Sequence, residues 1–213
     1  MGKIIHLYGE TKMYEELIKR LKENGNREYS ISEVENIANE ILVEGGRENI
    51  VGDIPIVKIV EEFGFTPYNE SRLKDDVSGN IYIGGTTKDV YGQDNVMVVG
   101  KNEALFHKRF ILAHELAHYL FDYLGDIEYT EHPELLFSRA YLKGGHGGDI
   151  SERRADRFAA ELLMPARIFL VRFIRAMEAF SNDKALVVDW LSRYFKTKQS
   201  SVLRRIEELN LPF

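Results

Sequence analysis

The 213-residue chain contains no cysteine. Disulfides, thiolate metal sites, iron–sulfur clusters and cysteine nucleophiles are excluded together. Proline is scarce, at 5 residues, and no internal repeat or low-complexity tract occurs, which excludes collagen-like, mucin-like and largely disordered chains. Long apolar runs are missing as well: no uncharged stretch approaches the ~18 residues of a membrane-spanning helix. The opening Met1-Gly2-Lys3-Ile4-Ile5-His6-Leu7-Tyr8-Gly9-Glu10 lacks the apolar run of a signal peptide, and His6 stands where a myristoylation motif needs Ser or Thr. A soluble cytoplasmic protein without a membrane partner is expected. An excess of basic charge is absent too. The formal net charge is −6, so the molecule as a whole is not built to wrap nucleic acid.

What is present is ample core material, with 12 Phe and 11 Tyr. The first 45 residues read as charged helices. Met13, Leu17, Ile18 and Leu21 recur at helical spacing, as do Val34, Ile37, Ala38, Ile41 and Leu42. Gly25-Asn26 and Gly45-Gly46 end these runs. A short helix follows Pro55 and stops at Gly64. Gly79–Ile83 and Asn95–Val99 read as strands, and either one is a candidate for the sheet edge above a cleft. From Glu103 to Leu124 the pattern is helical and apolar nearly all round, the mark of a buried central helix. Residues 125–150 read as a long connection ending in Gly144-Gly145-His146-Gly147-Gly148. Helices are expected over Ser151–Met164, over 166–180, and over Lys184–Phe195 and Gln199–Leu209 in the tail, with Thr197 as the last helix's N-cap. The expected division is a helical region over 1–45, a core over 46–180 and a helix-turn-helix-like tail over 181–213, all of which can belong to one compact unit.

The central helix carries His114-Glu115-Leu116-Ala117-His118, an H-E-x-x-H motif. Residues at i and i+4 share a helix face, so both imidazoles can reach one ion. Glu115, one position on, sits beside that face and is the candidate general base. A bland reading, two satisfied core histidines, sits badly in so apolar a helix, because buried His and Glu are costly unless paired or coordinated. A catalytic zinc wants a third protein ligand and an open position. Glu152 and Asp156 share one face of the next helix, and Ala155, Ala159 and Ala160 let that helix approach closely. Glu152 is the candidate third ligand, and Asp156 the candidate acceptor for the outward N–H of a ligating histidine. Acids also suit the first turn of any helix, and spacing alone leaves that reading open. Asp122, at i+4 from His118, is either a second such acceptor or a solvent-facing acid.

These residues resemble a known family. Arg109-Phe110-Ile111-Leu112-Ala113-His114-Glu115-Leu116-Ala117-His118-Tyr119-Leu120 is similar to the signature of the ImmA/IrrE zinc metallopeptidases. So is Glu152-Arg153-Arg154-Ala155-Asp156-Arg157-Phe158-Ala159-Ala160-Glu161-Leu162-Leu163-Met164-Pro165, the family's E-x-x-A-[ND]-x-F-A-x-x-L-L-M-P segment. The resemblance covers residues 34–212, with Ala117 replacing a frequent Gly and no counterpart for 1–33. It implies an α+β, zincin-like fold: a small, mostly antiparallel sheet packed on the H-E-x-x-H helix, with helical N-terminal and tail regions. It also implies a gluzincin-like site holding one Zn²⁺ by His114, His118 and Glu152, with Glu115 as base. The activity implied is cleavage of a helix-turn-helix repressor controlling a mobile element or a stress response. A second donor to the oxyanion is normal in such chemistry. His146 is the first candidate for it, with Tyr141 and His132 behind.

The tail leaves a rival reading. Residues 184–213 hold six Lys/Arg against three acids, and Gln199, Ser200 and Arg204 are placed as a recognition helix would place them. The alternative function is therefore a regulator or toxin–antitoxin component that binds a repressor or DNA, its metal site structural or latent.

Overall fold

The computed structural model describes residues 12–25, 27–71, 73, 77–84, 87–124, 139–142 and 150–213. Helix α1 (Glu15–Asn24) buries Leu17, Ile18 and Leu21 on one face and ends at Gly25, whose φ of 59° needs no Cβ. Helical spacing places Met13 on that face, yet it is 44% exposed and Tyr14 is buried in its place. A short 3₁₀ turn over Lys12–Tyr14 shifts the register there. Helix α2 (Ile31–Glu44) starts with a capping box in which Ser30 and Glu33 satisfy each other's backbone N–H. Its buried Val34, Ile37, Ala38, Ile41 and Leu42 follow the apolar spacing of the sequence. Helix α3 (Ile56–Glu62) follows Pro55.

Among the described residues four strands form one sheet: β1 (Thr66–Glu70), β2 (Val77–Ile83), β3 (Asn95–Gly100) and β4 (Arg139–Leu142). Helix α4 (Thr87–Tyr91) lies between β2 and β3. The strand order is β1-β3-β2-β4. Pairings β2–β3 and β2–β4 are antiparallel and β1–β3 is parallel. Both strands expected from sequence are therefore interior, and neither is the edge; β1 and β4 take those places. Strand β1 carries Pro67, which an edge strand tolerates because its N–H need not join a ladder. Strand β4 lies within the segment that reads from sequence as a plain connection.

Helix α5 (Leu105–His118) crosses this sheet, with Arg109 and every residue from Ile111 to His118 buried. At Gly79 of β2 the helix comes so close that a Cβ would meet the Ile111 side chain. The α-helix stops at His118 and continues as a π-helical turn over Tyr119–Tyr123, inside the span expected to be regular helix. Helices α6 (Ile150–Leu163), α7 (Ala166–Ala179), α8 (Lys184–Phe195) and α9 (Gln199–Glu208) follow, the first stopped at Pro165. The N-cap of α9 is Lys198 and not Thr197. Thr197 is buried, and its hydroxyl donates to Met164 Sδ at 3.4 Å.

Buried side chains form two clusters. One joins α1, α2, α3, β2, β3, α5 and the face of α6 bearing Ala155, Phe158, Ala159, Leu162 and Leu163. The other joins α7, α8 and α9 to Ala160 and Met164 of the same helix and its end. Helix α6 is the shared wall. Between the clusters Arg205 of α9, 0% exposed, pairs with Glu161 of α6. Arg157 bridges Glu35 of α2 and Glu208 of α9. The architecture is α+β, a small mixed sheet against a central helix wrapped by further helices. No helix among the described residues is long and apolar enough to cross a membrane.

Candidate metal centre

The i, i+4 spacing on α5 brings His114 and His118 together edge-on, with ring centroids 4.7 Å apart and planes at 71°. Their Nε2 atoms come within 2.9 Å of each other. Both rings are buried, and the small Ala155 and Ala159 of α6 are buried in the core beside α5. From the first turn of α6, Glu152 sends one carboxylate oxygen to His114 Nε2 at 3.2 Å and the other to His118 Nε2 at 3.4 Å. One ligand atom from each of the three residues lies within 4.8 Å of the others.

The opposite ring nitrogens are occupied. His114 Nδ1 lies 3.0 Å from Asp156 Oδ1, and His118 Nδ1 lies 2.6 Å from Asp122 Oδ2. A carboxylate can only accept, so each Nδ1–H donates outward, and each Nε2 faces the cluster, where a metal ion would take the place of its proton. Of the two readings open for Asp122, the structure shows the acceptor. The π turn carries it back under His118. Ser151 Oγ donates to the same Asp122 oxygen at 2.9 Å, and Arg154 pairs with the other. Asp156 in turn accepts from Arg204 Nη1 at 3.0 Å. Sequence reasoning missed Ser151 and Arg154 and gave Arg204 another task, because no spacing rule connects them to the histidines.

The electrostatics favour positive charge. Burial alone would lower both histidine pKa values, but hydrogen bonds to Asp156 and Glu152 raise that of His114. Burial also opposes the charge of His118, yet Asp122, Glu152 and the field of Glu115 push it up to about 9. Burial works against the Glu152 carboxylate in the same way. The histidines outweigh it and hold Glu152 well below the usual carboxylate range. Glu115 is buried beside the pair. Two imidazole nitrogens and a carboxylate, convergent and backed by further carboxylates, are a donor set that a divalent metal ion fits.

His146 and His132 lie outside the described residues. Tyr141 sits on β4, opposite Gly79 of β2 in register.

Comparison with known proteins agrees with the family resemblance. The family model described as the IrrE N-terminal-like domain, a peptidase family, matches residues 78–207, more than half the chain. That span runs from β2 to α9 and includes both ligand-bearing helices. No curated protein matches. Among solved structures, a Mycobacterium tuberculosis transcriptional regulator superposes with a TM-score of 0.50 and 19% identity. The match covers 92% of this chain and 52% of that one, so the chain spans about half the length of that protein. At this identity the likeness is one of fold.

Proposed function

The chain belongs to the IrrE N-terminal-like domain family of peptidases, and from that premise we propose that it is a zinc-dependent endopeptidase of the cytoplasm that cuts a helix-turn-helix repressor. The observation carrying this reading is the convergence of His114 Nε2, His118 Nε2 and the Glu152 carboxylate within 4.8 Å, with Glu115 buried beside them. Asp156 and Asp122 accept from the Nδ1–H groups, which leaves both Nε2 atoms as the ones turned toward a metal ion. A single Zn²⁺ bound there supplies a Lewis acid for the peptide carbonyl and for water. Glu115 accepts a proton from the attacking water and delivers it to the departing amine. His146, from the glycine-rich stretch before α6, is proposed as the second donor to the oxyanion.

The test is Glu115→Gln, assayed against helix-turn-helix repressors encoded near this protein's gene as candidate substrates. Metal content should stay at the parent's level while cleavage falls by at least ~100-fold. Undiminished cutting by a zinc-loaded variant would overturn the mechanism. A binding-only regulator is the second reading, and the exposed Gln199 and Ser200 at the start of α9 favour it. Strongly salt-dependent DNA binding by the purified protein is its signature.

A further inference from the structure

Two arginines close the carboxylates behind the histidines, and they reach them by different routes. Arg154 comes from α6, the helix that also bears Glu152 and Ser151. Arg204 comes from α9, at a separation of 48 residues from the Asp156 it holds. Asp156 divides its carboxylate between two partners. Oδ1 faces His114 Nδ1 and Oδ2 faces Arg204 Nη1, each at 3.0 Å. The arginine does not hang from a loose end. The next residue, Arg205, is buried against Glu161, Glu208 and the Met164 carbonyl. Glu208, one turn further on, is held by Arg157 at 2.7 Å. The backbone that presents Arg204 is therefore pinned to α6.

We propose that Arg204 is a positioning residue for the metal centre: by fixing the plane of Asp156 it fixes His114, so that docking of the C-terminal helix sets how well that histidine ligates. The inference rests on the metal-site reading above. Free to rotate, the Asp156 carboxylate shares its oxygens between His114 and water, and the ring loses its single aim. Arg204 is 55% exposed, so its Coulombic effect on the imidazole is screened and the geometric restraint is the larger influence.

Zinc affinity, measured by competition with a chromophoric chelator, tests this on the full chain. Arg204→Ala should weaken zinc by about 2–5-fold, the range of an exposed ion pair. Arg204→Lys, which keeps one donor, should recover most of the loss. In an Asp156→Ala background, Arg204→Ala should add nothing. Visible absorption of the Co²⁺-loaded protein, which reports ligand geometry, should change with Arg204→Ala and stay as in the parent with Arg193→Ala, an exposed arginine of α8 paired with Asp189. Parent-like zinc affinity in Arg204→Ala, or a further loss in the Asp156→Ala background, overturns the proposal. If Asp156→Ala alone leaves zinc affinity untouched, the placement of Asp156 behind His114 fails, and that failure appears without any change to α9.

Discussion

The two histidines are held by the same chemistry and by different parts of the chain. Behind His118 stand Asp122 on the next helical turn and Ser151 and Arg154 on α6, a set largely screened from solvent. Behind His114 stand Asp156 on α6 and Arg204 on α9, the latter half in water. One support is built where the central helix meets its neighbour, with Arg154 over the ring of Phe121 in the main buried cluster. The other borrows from the C-terminal helices, which have a buried cluster of their own. A metal centre can thus be rigid on one side and, on the other, depend on an element that another molecule can touch.

The change with the largest expected effect strikes the joint between the clusters. Arg205→Ala leaves Glu161, 1% exposed, without its buried cation, which should cost about 3–5 kcal/mol of folding stability. Chemical denaturation checks it, and an unchanged midpoint would mean that the tail is docked by its apolar face alone.

Next come the two carboxylates, compared directly. Asp122→Ala and Asp156→Ala should each weaken zinc by roughly 10–100-fold. They should differ in stability. Asp122→Ala strands Arg154, whose side chain is only 12% exposed, whereas Asp156→Ala leaves Arg204 half in water and still beside Glu208. Thermal unfolding of the metal-free variants should therefore separate them, Asp122→Ala melting lower. Equal melting temperatures would erase the distinction between the two supports.

The smallest effect concerns acid stability at a second contact of the tail. Asp53 meets Lys196 at the end of α8 at 3.0 Å and Arg109 of α5 at 3.4 Å. Burial works against its charge, but the Lys196 hydrogen bond and the Arg109 field pull its pKa below the ordinary 3.8. A depressed pKa gives stability that is fully present above the unfolded value and is lost as pH falls through the folded one. Asp53→Asn should remove a contribution of about 0.5 kcal/mol at neutral pH and flatten the stability profile below pH ~4. A profile identical to the parent's would show that the contact is neutral.

Much of the centre is legible in the sequence. The H-E-x-x-H helix, the facing Glu152 and the small residues between the helices follow from a period of 3.6 and from side-chain size. Asp122 is only half legible: its spacing from His118 specifies a face, but what covers that face depends on α6. Strand β2 and strand β3 announce themselves through β-branched runs. Strand β1 does not, since Thr66-Pro67-Tyr68-Asn69-Glu70 is polar, carries a proline and pairs with residues about thirty positions away. The π turn after His118 is illegible as well, because the residues that form it suit a regular helix equally.

By itself the order of amino acids decided the local things: which segments are helices, which faces are apolar, and which side chains able to bind a metal recur on one face. Those properties depend on neighbours within a turn or two. Tertiary structure alone decided that Ser151 and Arg154 close over Asp122 and that Arg204 reaches Asp156 from the far end of the chain. Hydrogen bonds and ion pairs act over a few ångströms of space, and only packing brings residues 48 positions apart within that reach.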